Sequence, residues 1–171
     1  MLDWFVKFNN QKKLTIKVAI VMGSQSDYPI MKECEKILKI LKIRFETKII
    51  SAHRTPERMF DFAKFAEKNK FTTIVAGAGG SAHLPGMIAA MTTIPVIGVP
   101  IESKKLKGLD SLLSICQMPL GVVVATVAIN GSFNAGLLAA SIIGTFNSKV
   151  RSNLQRWRLA QTKSVKKKPS N

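Results

Sequence analysis

Cysteine, histidine and acidic residues are scarce in this sequence, and each scarcity removes a class of function. The two cysteines, Cys34 and Cys116, stand apart; with no CxxC pair and no paired histidine ligands they suggest neither a zinc site nor a disulfide framework. No metal is expected, and two reduced thiols fit a cytoplasmic protein. The first residues, MLDWFVKFNNQKK, hold an acid at position 3 and no uninterrupted apolar run, so they do not read as a secretory signal. A GxxxxGK loop followed by Ser or Thr is absent, and nucleoside triphosphate binding has no support. Residues 111–148 carry no formal charge. Pro119, Gly121 and the Asn130-Gly131 turn signal cut that stretch into pieces shorter than the roughly 20 residues a membrane span needs. No membrane partner is expected there; a buried strand followed by a packed helix is.

Ten acidic residues face 26 basic ones, for a net charge of +16. No acid follows Asp110, whereas Lys149, Arg151, Arg156, Arg158, Lys163, Lys166, Lys167 and Lys168 supply half of the net charge. An excess of this size suits an anionic partner. The basic stretch contains a single aromatic, Trp157, where single-strand binders interleave several for base stacking, so nucleic acid is not expected as a partner. With 46% apolar and 21% charged residues, a chain of this length can bury roughly 70% of its unfolded surface in one domain.

Lys17 to Met22 (KVAIVM) is a β-branched apolar run ending at Gly23, which predicts a buried strand and a tight turn. Ser26 or Asp27 can cap the helix that follows, with Pro29 in its first turn and Ile30, Cys34, Ile37, Leu38 and Leu41 on its apolar face. The unit then repeats. Residues 43–50 read as a strand, Thr55-Pro56-Glu57 as a helix start, and Met59, Phe60, Ala63 and Ala66 as a buried stripe. Further strands are predicted at 73–76, 95–99 and 122–129, with helices at 87–91, 137–143 and a polar one at 147–163. Five apolar strands alternating with helices predict a parallel sheet covered on both faces, an α/β three-layer sandwich. The domain organisation follows as an N-terminal extension (1–16), an α/β domain (17–148) and a C-terminal helix with a basic tail (149–171).

In an open parallel sheet, ligands bind at the carboxyl ends of the strands near the point where strand order reverses. The loops there are GSQSD (23–27), SAHRTP (51–56) and GAGGSAHLPG (77–86), and both histidines of the chain, His53 and His83, fall in them. GSQSD joins a permissive glycine and two hydroxyls to a helix N-terminus, a natural phosphate cradle, though an ordinary capped turn reads the same way. Asp27 would repel a phosphate and suits sugar hydroxyls better. SAHRTP sets an imidazole, with an ordinary pKa of about 6.5, beside a guanidinium able to clamp a phosphate or carboxylate. GAGGSA also fits the dinucleotide pattern GxGxxA, with Glu102 roughly 20 residues on. That pattern starts its helix within the glycines, where Pro85 would fall inside the helix and break it, so it is set aside.

Taken together and in order, GSQSD, SAHRTP, AGAGGSAHLPGMIAA, PVIGVP, LDSLLSICQMP and VATVAIN resemble the N5-carboxyaminoimidazole ribonucleotide mutases of bacteria, from about residue 17 to 161. The resemblance implies a flavodoxin-like fold, a homo-octamer, a small ribonucleotide substrate and no cofactor. It implies His53 as the catalytic proton-transfer residue, and Ser24, Ser26, Asp27, Ser51, Arg54, Gly79, Gly80, His83 and Leu84 as substrate-binding residues. The phosphate is expected near Ser26 and Arg54, the ribose near Asp27, and carbon dioxide in a pocket of small residues at 78–82. The related carboxylases, which use free carbon dioxide, have lysine where Arg54 stands and lack GGxAHLPG. Two departures from the family pattern lie downstream: Val123 replaces a usual proline, and the segment after Ile129 is about two residues shorter. The alternatives are that carboxylase activity and a non-enzymatic module binding RNA through its basic tail.

Overall fold

The alternating face pattern of KVAIVM determines the layering. In the computed structural model, which describes residues 16–169, β1 (Lys17–Met22) turns Val18, Ile20 and Met22 to one face and Ala19 and Val21 to the other, all at most 1% exposed. A strand apolar on both faces must be covered on both. On the first face lie α1 (Tyr28–Ile40), α5 (Ser132–Gly144) and the start of α6 (Ser148–Ser164). On the second lie α2 (Pro56–Phe65), α3 (Leu84–Ala89) and α4 (Leu109–Cys116), with Met59, Leu84, Ile88 and Ile115 in its core. The remaining strands are β2 (Arg44–Ile49), β3 (Thr73–Gly79), β4 (Val96–Ile101) and β5 (Ala125–Thr126). All pair in parallel in the order β2-β1-β3-β4-β5. The expected α/β three-layer sandwich is the observed one, and this strand order is the flavodoxin-like order.

Close approaches explain why small residues occupy particular points. A Cβ on Gly136 of α5 would collide with Ile37 of α1, so the two helices touch where that glycine sits. On β4, a Cβ on Gly98 would run into Ile115 and Val124. β2 differs from the expected apolar run: its residues, RFETKI, lie at a sheet edge, and Glu46 pairs with Lys17 at 2.9 Å and Lys48 at 2.8 Å. Charge on an edge strand discourages pairing with another chain.

Several expectations need correction. Phe60 is 50% exposed rather than buried; α2 instead buries Met59, Phe62 and Ala63. β5 is two residues long rather than eight. Gly121 adopts φ +97 in the turn after Pro119, and Leu120 and Val123 face solvent at 106% and 78% exposure. α5 begins at Ser132, earlier than expected, because Asn130 takes a left-handed conformation (φ 59) and Gly131 N–H closes on Ala128 O at 2.8 Å. Asparagine tolerates that region better than most residues. α3 runs Leu84–Ala89 rather than 87–91, with Pro85 in its first turn, in keeping with proline's fixed φ. α4 was not anticipated. The N-terminal extension lies outside the described residues apart from Ile16. α6 docks by its first half: Val150 and Leu154 are buried and the Trp157 ring lies 5.9 Å from Phe133, while its second half and the basic residues after it are exposed. Among the described residues no helix is long and apolar enough to cross a membrane.

Candidate active site

After β1 the chain winds outward to β2, then returns to the other side of β1 as β3. This reversal puts Met22 in register with Ile49 on one side and with Gly77 on the other, so three loops leave the sheet side by side at its carboxyl end. They enclose a cleft of about 330 Å³. The first loop contributes Gly23, Ser24, Ser26 and Asp27 to its wall, and the second Ser51, Ala52, His53 and Arg54. From the third come Ala78, Gly79, Ser81 and Leu84.

In the first loop Asp27 occupies the N-cap position of α1, as expected, and Ser24 caps the turn before it. The Ser24 hydroxyl accepts from Ser26 N–H at 3.3 Å and from Ser26 Oγ at 3.0 Å, closing a short 3-10 turn (Gln25–Asp27) ahead of α1. Asp27 precedes α1 without making a side-chain cap bond. Asp27 as a residue is 9% exposed, and burial raises its pKa above the ordinary carboxylate value. Hydrogen bonds with Ser24 and Ser26 and the positive charge of Arg54 oppose that rise. A buried carboxyl at the mouth of a polar cleft is placed to accept hydrogen bonds from a ligand's hydroxyls.

The second loop is braced from within. Thr55 Oγ1 accepts from Ser51 N–H at 2.9 Å and donates to Ser51 O at 3.0 Å. Ser51 Oγ accepts from both the backbone N–H and Nε of Arg54, each at 3.2 Å. Arg54 Nη2 donates to Gly23 O at 2.8 Å, tying the second loop to the first. Nη1 has no partner among the described residues, so a guanidinium already held in place presents an open donor to an anion. His53 is exposed, and its Nε2 lies 2.9 Å from Nδ1 of His83.

The third loop divides between two tasks. Gly79 and Leu84 reach the cleft. Gly80, with φ +68, turns away: its N–H donates to Ser111 Oγ at 2.8 Å, and Ser114 Oγ donates to its carbonyl at 3.4 Å. Ser111 is fully buried and also donates to Ile101 O at 2.6 Å, so α4 anchors this loop through two serines that the sequence reading did not single out. Their only sequence signal was a place within LDSLLSICQMP. Gly80 and His83 do not line the cleft, although His83 touches it through His53. The small-residue pocket expected at 78–82 contracts to Ala78, Gly79 and Ser81, because Ala82 is buried in the core. Glu102, the candidate ribose acid of the rejected dinucleotide reading, is bonded to Asn130 at 3.1 Å.

A larger apolar groove of about 710 Å³ runs between α2 and α3, lined by residues including Met59, Phe60, Met87 and Met91. Glu57 and Asp61 are its charged lining residues, and it borders the second loop at Pro56, but no histidine, hydroxyl or cation lines it. No group of three or more potential metal-ligating side chains occurs among the described residues. The polar cleft is the candidate site: it gathers an imidazole, a braced guanidinium, hydroxyls and a buried carboxyl within one small volume.

Comparison with known proteins gives a consistent result. The AIR carboxylase family model matches residues 17–164. The N5-carboxyaminoimidazole ribonucleotide mutase of Brucella melitensis is 52% identical over 160 residues, spanning 92% of this chain and 99% of that protein. The mutase of Escherichia coli K12 is 51% identical over 155 residues, 90% of this chain and 92% of that one. The crystal structure of Treponema denticola PurE superposes with a TM-score of 0.80 at 28% identity, covering 86% of this chain and 92% of that chain.

Proposed function

The chain belongs to the AIR carboxylase family, and on that premise we propose that it is the purine-biosynthetic mutase that converts N5-carboxyaminoimidazole ribonucleotide to 4-carboxy-5-aminoimidazole ribonucleotide. The observation that carries this reading is His53, an imidazole lining a polar cleft beside a guanidinium already oriented to receive an anion. Arg54 and Ser26 hold the phosphate, Asp27 the ribose hydroxyls, and Ser24, Ser51, Gly79 and Leu84 complete the wall. Substrate and product are isomers, so no redox or phosphoryl cofactor is required by the stoichiometry.

His53 in its protonated form gives a proton to the carbamate nitrogen. The C–N bond breaks, its electron pair stays on nitrogen, and carbon dioxide is released beside an aminoimidazole. The 5-amino group pushes electron density to C4, which attacks the trapped carbon dioxide. His53, now neutral, removes the C4 proton and returns to its starting state. One proton moves from carbon to nitrogen and one carboxyl from nitrogen to carbon. Acid–base help of this kind contributes about 10²–10⁴-fold, and confinement of carbon dioxide against C4 near Ala78 and Gly79 supplies proximity.

The same proposal extends to cytoplasmic location and to a homo-octamer. The apolar groove between α2 and α3, where Phe60 and Met87 are 50% and 37% exposed, gives copies of the chain a surface to bury. Light scattering is expected to return eight times the 18.8 kDa chain mass; a monomer would contradict the assembly. The functional test supplies the purified protein with N5-carboxyaminoimidazole ribonucleotide, without ATP or bicarbonate. Conversion is expected. Carboxylation of aminoimidazole ribonucleotide with carbon dioxide, and no conversion of the carbamate, would assign the protein to the carboxylase activity instead.

A further inference from the structure

His53 and His83 are the two histidines of the chain, and their rings meet edge to face, with centroids 5.0 Å apart and planes at 83°. The 2.9 Å contact joins Nε2 of His53 to Nδ1 of His83. A hydrogen bond between two imidazoles requires one N–H and one lone pair, so it selects a tautomer on each ring. His83 immediately precedes α3, where a side-chain acceptor commonly turns back onto helix amides. Its ring makes no such cap bond, and its δ nitrogen is committed to His53 instead. Nδ1 of His53 has no partner among the described residues and is the nitrogen left for a ligand in the cleft.

We propose that His83 is a positioning residue: its Nδ1 lone pair accepts a hydrogen bond from Nε2–H of His53, which makes Nδ1 of His53 the nitrogen that exchanges a proton with substrate. This rests on the assignment of His53 as the proton-transfer residue. In the acid state both nitrogens of His53 carry protons, Nε2–H bonded to His83 and Nδ1–H toward the carbamate nitrogen. When Nδ1 gives up its proton it keeps the electron pair, and His53 becomes the neutral Nε2–H tautomer, still bonded to the same acceptor. Removal of the C4 proton by Nδ1 restores the acid. The bond to His83 is retained through both transfers, so the ring need not reorient between them. A carboxylate in the position of His83 would add a charge favouring the imidazolium. An imidazole lone pair orients the ring without adding a negative charge.

With two histidines, long-range ¹H–¹⁵N spectra contain two imidazoles, assigned by the loss of one in each His83 variant. Recorded with both rings neutral, the wild type is expected to show His53 as the Nε2–H tautomer, and His83→Leu to show a mixture of tautomers. In kinetics, His83→Leu is expected to lower kcat about 10- to 100-fold, the range typical of lost supporting hydrogen bonds, with KM little changed. His83→Asn, whose Oδ1 falls close to the position of Nδ1, is expected to restore most of that loss. His83 is exposed, so these substitutions leave the core intact. An Nδ1–H tautomer for His53 in the wild type, the same His53 tautomer in His83→Leu, or a rise in KM at constant kcat would overturn the proposal. A wild type that converts no substrate would refute the functional reading alone, since the tautomer measurement stands without turnover.

Discussion

The two halves of the sheet are built to different tolerances. In the half formed by β1, β2 and β3, the loops at the strand ends are cross-braced by named bonds: Arg54 to Gly23, Ser51 to Thr55, His53 to His83. In the half beyond β4, the last strand shrinks to two residues, and Leu120 and Val123 face solvent. Val123 and the segment after Ile129, where the resemblance implies departures from the family pattern, fall in this second half. There the Asn130-Gly131 turn leads straight into α5. The polar cleft sits in the half whose loops are tied to one another. The two halves still communicate, because Ser111 and Ser114 of α4 hold Gly80 in the third loop.

Four substitutions probe that contrast. Arg54→Met removes both the bond to Gly23 and the open donor, and is expected to lower kcat/KM by about 10- to 150-fold, equivalent to the 1.5–3 kcal/mol typical of hydrogen bonds to a charged group; steady-state kinetics at saturating and limiting substrate would measure it. An effect under twofold would remove Arg54 from the binding set. Gly98→Ala asks where tolerance begins: its added methyl meets Ile115 and Val124, so denaturant unfolding is expected to show a loss of about 1–3 kcal/mol. No loss would extend the tolerant region inward to β4.

Asp27→Asn separates binding from stability. Burial raises the carboxyl pKa, so the folded state holds that proton more tightly than the unfolded chain. Stability then declines as pH rises from the ordinary carboxylate value through the raised one, and the deficit persists at neutral pH. The variant is expected to have a Tm at pH 7 no lower than wild type and a weaker fall in Tm between pH 4 and pH 7, together with a higher KM. A lower Tm at pH 7 would show that the carboxylate is net stabilising. The smallest effect is expected from Val123→Pro, at an exposed position in an irregular segment: a stability change under about 1 kcal/mol and unchanged turnover.

Much of this architecture is legible in the sequence because periodicity reports which face of an element is apolar. KVAIVM announces a strand covered on both sides, and the strand-end rule then places GSQSD, SAHRTP and GAGGSAHLPG together without any structural information. What periodicity does not report is the neighbour. Apolarity alone puts Phe60 in the buried stripe of α2, yet the spacing i, i+3, i+4 and i+7 from Met59 selects Phe62, Ala63 and Ala66, and Phe60 lies about 100° around the helix. The apolar run at 122–129 reads as a core strand, although an edge position with one neighbour leaves much of it unpaired. In the site, residue types identified the cleft, but the inward turn of Gly80 and its anchoring by Ser111 depend on packing against α4, which no local pattern shows. The pairing of the two histidines, thirty residues apart, is likewise a product of topology.

If the cleft binds the carbamate ribonucleotide and His53 moves its proton, binding and turnover of N5-carboxyaminoimidazole ribonucleotide by wild type and His53→Asn, measured side by side, separate the two. Comparable dissociation constants are expected, with conversion by wild type and a turnover lower by at least about 10²-fold in the variant. Undiminished turnover by His53→Asn would contradict that role for His53.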